Sequence, residues 1–152
     1  MKSVLLIGTF QEGGYSHVID YVLRKEGYRV YRFDHIFLLS HLNNKLVHDT
    51  LISKVKYLEP DYILTIKGRG LDPAVIKDLP AKKILWWFDH SERYSDFNDY
   101  ISAYDKYYVV EEGLGHPNMI IGIDPDIHRR IENEEEKYKC DVVFAGTAHP
   151  TR

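Results

Sequence analysis

The chain has 152 residues, of which 44% are hydrophobic and 28% charged, and its formal net charge is −3. Those values fit one globular domain long enough to bury a core. Lys and Arg are scattered along the sequence, so the electrostatic footprint of a nucleic-acid binder is missing. No apolar run approaches the roughly 20 residues of a membrane span, and Met1-Lys2 leads into a strand rather than a signal peptide, so a cytoplasmic setting is expected. The single Cys140 forms neither an internal disulfide nor a metal motif and is expected to be a reduced thiol.

In chain order, Val4-Leu5-Leu6-Ile7 is a short continuous apolar run that stops at Gly8. Such a run reads as a strand buried on both faces, at the centre of a parallel sheet. The loop from Thr9 to Gly14 then lies at the strand's carboxyl end, where open α/β sheets bind ligands at the point where strand order reverses. Gly13 and Gly14 would let a ligand approach backbone N–H groups at a helix N-terminus. The competing reading is a tight strand-to-helix turn with no ligand.

Tyr15 to Glu26 places Val18, Ile19, Val22 and Leu23 on one helical face, and Gly27 stops that helix. Tyr28 to Phe33 is a second strand closed by Asp34. The spacing predicts one helix from about Ser40 to Leu58, broken by Glu59-Pro60-Asp61. Asp61 to Ile66 is a third strand running into Lys67-Gly68-Arg69-Gly70, after which Asp72-Pro73 caps a short helix through Leu79. Lys82 to Phe88 is a fourth strand ending at Asp89-His90, Ser95 to Ala103 a helix, Lys106 to Val110 a fifth strand ending at Glu111, and Asn118 to Ile121 a short sixth.

Strands alternating with helices predict an α/β fold with a Rossmann-like, doubly wound parallel sheet over residues 1–123. Residues 124–139, rich in Glu and Arg, read as a linker. Residues 140–152, with the apolar run CDVVFAG, read as the first strand of a truncated second domain.

The loop Gly8 to Tyr15 has P-loop glycine spacing but lacks its Lys and Ser/Thr, which argues against NTP hydrolysis. It also misses the dinucleotide pattern, although Asp34 stands where a ribose-binding acid would. A phospho-receiver is excluded because the third strand ends in Lys67 rather than an aspartate. Eight histidines invite a metal hypothesis, with His41 and His48 two turns apart on the expected long helix, yet no carboxylate or Cys partners stand at ligand spacing, so no metal site is assigned. The tyrosines Tyr94, Tyr100, Tyr104, Tyr107 and Tyr108 read as amphipathic packing with surface hydroxyls rather than a stacking platform. The polar strand ends Thr9, Lys67, Arg69, Asp89, His90 and Glu111 fall on the same sheet edge. Asp89 and His90 could act there as a general base and its partner, or Asp89 could simply cap the next helix.

The order of these segments resembles the spore-coat-type, CgeB-like members of the GT-B glycosyltransferase superfamily. The resemblance rests on EPDYIL with Lys67-Gly68, ILWWFD, Gly122 to His128 (GIDPDIH), CDVVFAGT and the closing Pro150-Thr151-Arg152. It implies that residues 1–123 form the acceptor-side domain of an enzyme moving sugar from a nucleotide-sugar donor to an acceptor hydroxyl. It implies no cofactor, Asp89 or His90 as the catalytic base, Thr9, Gly13, Gly14, Lys67, Arg69 and Glu111 around acceptor or phosphate, and Gly146, Thr147 and Arg152 beside the donor. The fragment alone would be inactive. The alternative is a non-catalytic GT-B-like module binding sugar, nucleotide or protein, with a homodimer closing its open face.

Overall fold

The computed structural model describes residues 1–11, 14–89, 97–110, 115–120 and 122. The chain divides into two compact units, Met1–Gly122 and Ile123–Arg152. Everything described below belongs to the first, and the expected linker and seventh strand lie outside the described residues.

The first unit is an α/β fold on a five-stranded, all-parallel sheet in the order β2-β1-β3-β4-β5. The strands are β1 (Ser3–Gly8), β2 (Arg29–Asp34), β3 (Tyr62–Ile66), β4 (Lys82–Trp87) and β5 (Lys106–Val109). Between them run α1 (Tyr15–Lys25), α2 (His35–His41), α3 (Asn44–Leu58), α4 (Pro73–Lys77) and α5 (Phe97–Ser102). This strand order is the flavodoxin-like form of the doubly wound sheet, whose order reverses between β1 and β3.

β1 lies between β2 and β3, and Leu5, Leu6 and Ile7 are fully buried. Alternation divides them between two cores. Leu5 and Ile7 join Phe33, Ile63, Leu85 and Trp87 under α3, α4 and α5, while Leu6, Val30 and Ile66 pack with Ile19 and Leu23 of α1 on the opposite face. Burying each such side chain contributes about 1.5–3 kcal/mol, so the central strands anchor everything mounted on their ends.

Three expectations are corrected. The single helix from Ser40 is two helices, because two side-chain caps start two helices. Asp34 accepts the Phe37 N–H at 3.0 Å to begin α2, and Asn43 accepts the Leu46 N–H at 2.9 Å to begin α3, with Leu42 extended between them. His41 and His48 consequently sit on different helices, and His48 instead accepts the Asp72 N–H at 3.1 Å. The sixth strand shrinks to one parallel bridge, Val109 to Asn118, next to Pro117, which has no amide to donate. The tyrosines are also deeper than expected. Tyr100 and Tyr104 are buried, and the Tyr100 hydroxyl accepts the Gly70 N–H at 3.0 Å rather than facing water.

No helix of the described residues is long and apolar enough to cross a membrane.

Candidate functional site

β1 delivers its carboxyl end against α1 so closely that only glycine fits at position 8. A Cβ there would stand 2.1 Å from the Ser16 Oγ and 2.9 Å from the Ser16 Cβ. The same Ser16 Oγ accepts the Thr9 N–H at 3.2 Å, which ties the loop to the first turn of α1. Asp34, at the end of β2, fixes the other side of the loop. One carboxylate oxygen accepts the Phe10 N–H at 3.0 Å while the other caps α2, so the acid expected near a ribose positions backbone instead. α1 starts at Gly14, which brings no side-chain cap to the helix N-terminus. Its first amides therefore face the sheet edge with the positive end of the helix dipole.

β3 ends in a strained turn. The Gly68 N–H donates to the Ile66 carbonyl at 2.8 Å and Lys67 has φ of 65°, which together describe a γ-turn with positive φ at its centre. That form is rare and costly for a residue with a side chain. Gly68 and Gly70 follow at φ of 71° and 84°. The turn is held by the Lys67 N–H on the Trp86 carbonyl, by Tyr100 on Gly70, and by the buried Leu71. From it the Lys67 ammonium reaches Asp89 at 3.0 Å. The pair is partly exposed, so it orients Lys67 more than it stabilises the fold.

Between these two loops opens a cavity of about 790 Å³, at the β1/β3 switch point. The first loop and α1 supply Thr9, Gln11, Gly14, Tyr15 and Ser16; α2 supplies His35, Ile36 and Leu39. The β3 loop brings Lys67, Arg69 and Gly70, and the far wall is Trp87, Phe88 and Tyr100. Its size is that of a small-molecule site, and mostly apolar walls with a few polar groups are the usual composition.

His35 is the unexpected member. It is only 2% exposed, and its ring lies against the Gly8 and Arg69 backbone. Burial pushes its pKa below the ordinary histidine value, against the opposing influence of the Gly8 backbone, the Asp34 carboxylate and the Arg69 backbone, so the neutral imidazole is favoured.

Of the residues singled out from sequence, Thr9, Gly14, Lys67 and Arg69 line this one cavity. Asp89 stands behind Lys67 as its ion-pair partner. Gly13, His90, Glu111, Gly146, Thr147 and Arg152 lie outside the described residues. His35, Ser16 and Tyr100 were missed. The signal available for His35 was its place immediately after a strand closed by a capping Asp, on the same edge as the other polar strand ends.

No family model matches the chain, and no curated protein matches it. Among solved structures, it is similar to the crystal structure of a "putative response regulator" from Chloroflexus aurantiacus J-10-fl, with 16% identity, a TM-score of 0.49, and coverage of 72% of this chain and 85% of that one. That likeness brings no residue role to this chain. Nothing found supports the expected family: the protein in that structure is described as a response regulator and not as a sugar transferase. The CgeB-like recognition is therefore withdrawn. With it go the transfer reaction, the GT-B-like binding module, the nucleotide-sugar donor with its acceptor, and the homodimer closing the GT-B face. Of the segments that carried the resemblance, EPDYIL and ILWWFD form β3 and β4 with their polar ends, a pattern that any parallel α/β sheet produces, and the segments after Gly122 lie outside the described residues.

Proposed function

We propose that the first unit is a binding domain for a small organic anion, a carboxylate or phosphate ester with an apolar or aromatic body, held at the carboxyl edge of β1 and β3. The observation that carries this reading is the meeting, in one cavity, of Lys67, Arg69 and the uncapped start of α1 with the aromatic wall of Tyr15, Trp87, Phe88 and Tyr100. Cations and helix N-terminal amides attract negative charge, and rings bury the remainder of the molecule. Thr9 and Gly14 border the anionic end, and Asp89 keeps Lys67 directed along the cavity rim. A cytoplasmic setting is part of the same proposal.

The test is a panel of anions, with benzenesulfonate, phenyl phosphate, inorganic sulfate and pyrophosphate as probes, scored by thermal stabilisation. A probe at about 100 times its Kd adds about 2.7 kcal/mol, enough to raise Tm by several degrees. Lys67→Ala with Arg69→Ala should abolish the rise. Stabilisation that persists in the double variant, or none with any anion, refutes the reading.

A further inference from the structure

An ammonium that already holds a carboxylate brings any further anion up against a like charge. Lys67 lines the cavity, and its ammonium stands 3.0 Å from the Asp89 carboxylate. An anion on the same ammonium, at a charge-assisted hydrogen-bond length of about 2.8 Å, lies within about 6 Å of Asp89 in every pose, because the two distances add to no more than that. At that range a like charge is felt strongly.

Asp34 supplies a second acid. It closes β2, its two oxygens accept the Phe10 and Phe37 N–H groups, and its charge is felt at the cavity-lining His35. Among the described residues, the formal charges around the cavity are thus two cations, Lys67 and Arg69, against two carboxylates, Asp34 and Asp89. Burial disfavours a third cation at His35. What remains positive is the start of α1, equivalent to about half an elementary charge.

Attraction to such a site grows in proportion to the ligand's charge, whereas the cost of taking that charge out of water grows with its square. The walls of Tyr15, Trp87, Phe88 and Tyr100 return little of the lost hydration. One negative charge matches the positive surplus. A second has no counter-charge and lies beside Asp89.

We propose that the cavity selects singly charged organic anions of the carboxylate kind against doubly charged phosphate monoesters, and that Asp89 sets this choice. The proposal rests on the anion-binding reading above and narrows its ligand class.

The experiment is titration calorimetry of the full chain at about pH 8 with probes that share one ring. Benzoate, benzenesulfonate and methyl phenyl phosphate each carry one charge; phenyl phosphate carries two, since its second ionisation lies near pH 6. The three single anions should bind at least roughly tenfold tighter than phenyl phosphate, the effect of one like charge about 6 Å away at intermediate screening. Asp89→Asn keeps an acceptor for Lys67 but not the charge, and should shrink the preference at least about fivefold, whereas Asp89→Glu should retain it. A further readout needs no variant: as pH falls from about 8 to about 5.5 and phenyl phosphate loses its second charge, its affinity relative to benzenesulfonate should rise in the native chain. Phenyl phosphate binding as tightly as its methyl diester, a preference left intact by Asp89→Asn, or a relative affinity flat with pH would each overturn the selectivity set by Asp89 and leave the anion site standing. Binding of none of the probes overturns both.

Discussion

Gly8→Ala tests how the first loop is built. The backbone at position 8 is ordinary, so an alanine is excluded only by lack of space. Its Cβ would lie 2.1 Å from the Ser16 Oγ and 2.9 Å from the Ser16 Cβ, where ordinary contact begins at about 3.5 Å. Ser16 is 3% exposed and cannot swing out to water, so either α1 moves off the sheet or the Ser16 rotamer changes and the Thr9 amide loses its acceptor. Overpacking contributes about 1–3 kcal/mol. The part-buried amide adds about 1 kcal/mol. A total of about 2–4 kcal/mol lowers the urea midpoint by roughly 1–2 M. Ser16→Gly, made alone, costs about 1–2 kcal/mol through the lost hydrogen bond and helix propensity. The double variant has room for the new methyl group, so its loss should fall short of the sum by at least about 1 kcal/mol. A Gly8→Ala protein within about 0.5 kcal/mol of native, or a strictly additive double variant, would refute this account of the loop.

Lys67→Gly removes the side chain but relieves the positive φ at the centre of the γ-turn. The exposed Lys67–Asp89 pair contributes at most about 1 kcal/mol, so urea unfolding should show stability unchanged or raised by up to about 1 kcal/mol, while anion affinity drops at least several-fold. A large loss of stability contradicts the strain argument. Asp34→Ala frees both the Phe10 amide and the start of α2 and should cost about 1–2 kcal/mol in the same assay, with weaker anion binding because two cavity walls loosen; a neutral result contradicts its bridging role. Stability should also fall with acid in two stages. The depressed His35 pKa means the unfolded chain binds the proton more readily, so stability drops as pH falls through the ordinary histidine value near 6.5 and levels off below the folded value. Asp61, held by the Ser3 amide and hydroxyl, and Asp105, held by the Lys83 amide, have depressed values. Their contribution is present above the ordinary carboxylate value near 4 and is lost as pH falls through their folded values. His35→Gln should erase the first stage alone when urea midpoints are measured against pH, and survival of that stage contradicts the assignment.

What the chain disclosed on its own was decided by short-range pattern. VLLI announces a buried strand because no solvent face interrupts it, and parallel strands put Thr9, Lys67 and Arg69 on one edge by geometry alone. α2 escaped because HIFLLSH spans only 7 residues, too few for a helical period to repeat, and its start depends on Asp34, which was read only as the end of a strand. His35 escaped for a different reason: its burial, against the Gly8 and Arg69 backbone, arises from loops far apart in sequence. The family resemblance failed where it was least local. EPDYIL and ILWWFD record the needs of sheet strands, which unrelated α/β proteins share, and such strings carry fold but not chemistry.

The most direct test of the anion site is amide chemical-shift mapping of the isotopically labelled chain during titration with benzenesulfonate. Saturable shifts concentrated at Gly14 to Ser16, His35 and Lys67 to Gly70 are the predicted result. Shifts confined to the amino edge of the sheet, around Ser3, Asp61 and Lys83, would contradict it, as would no saturable shift anywhere.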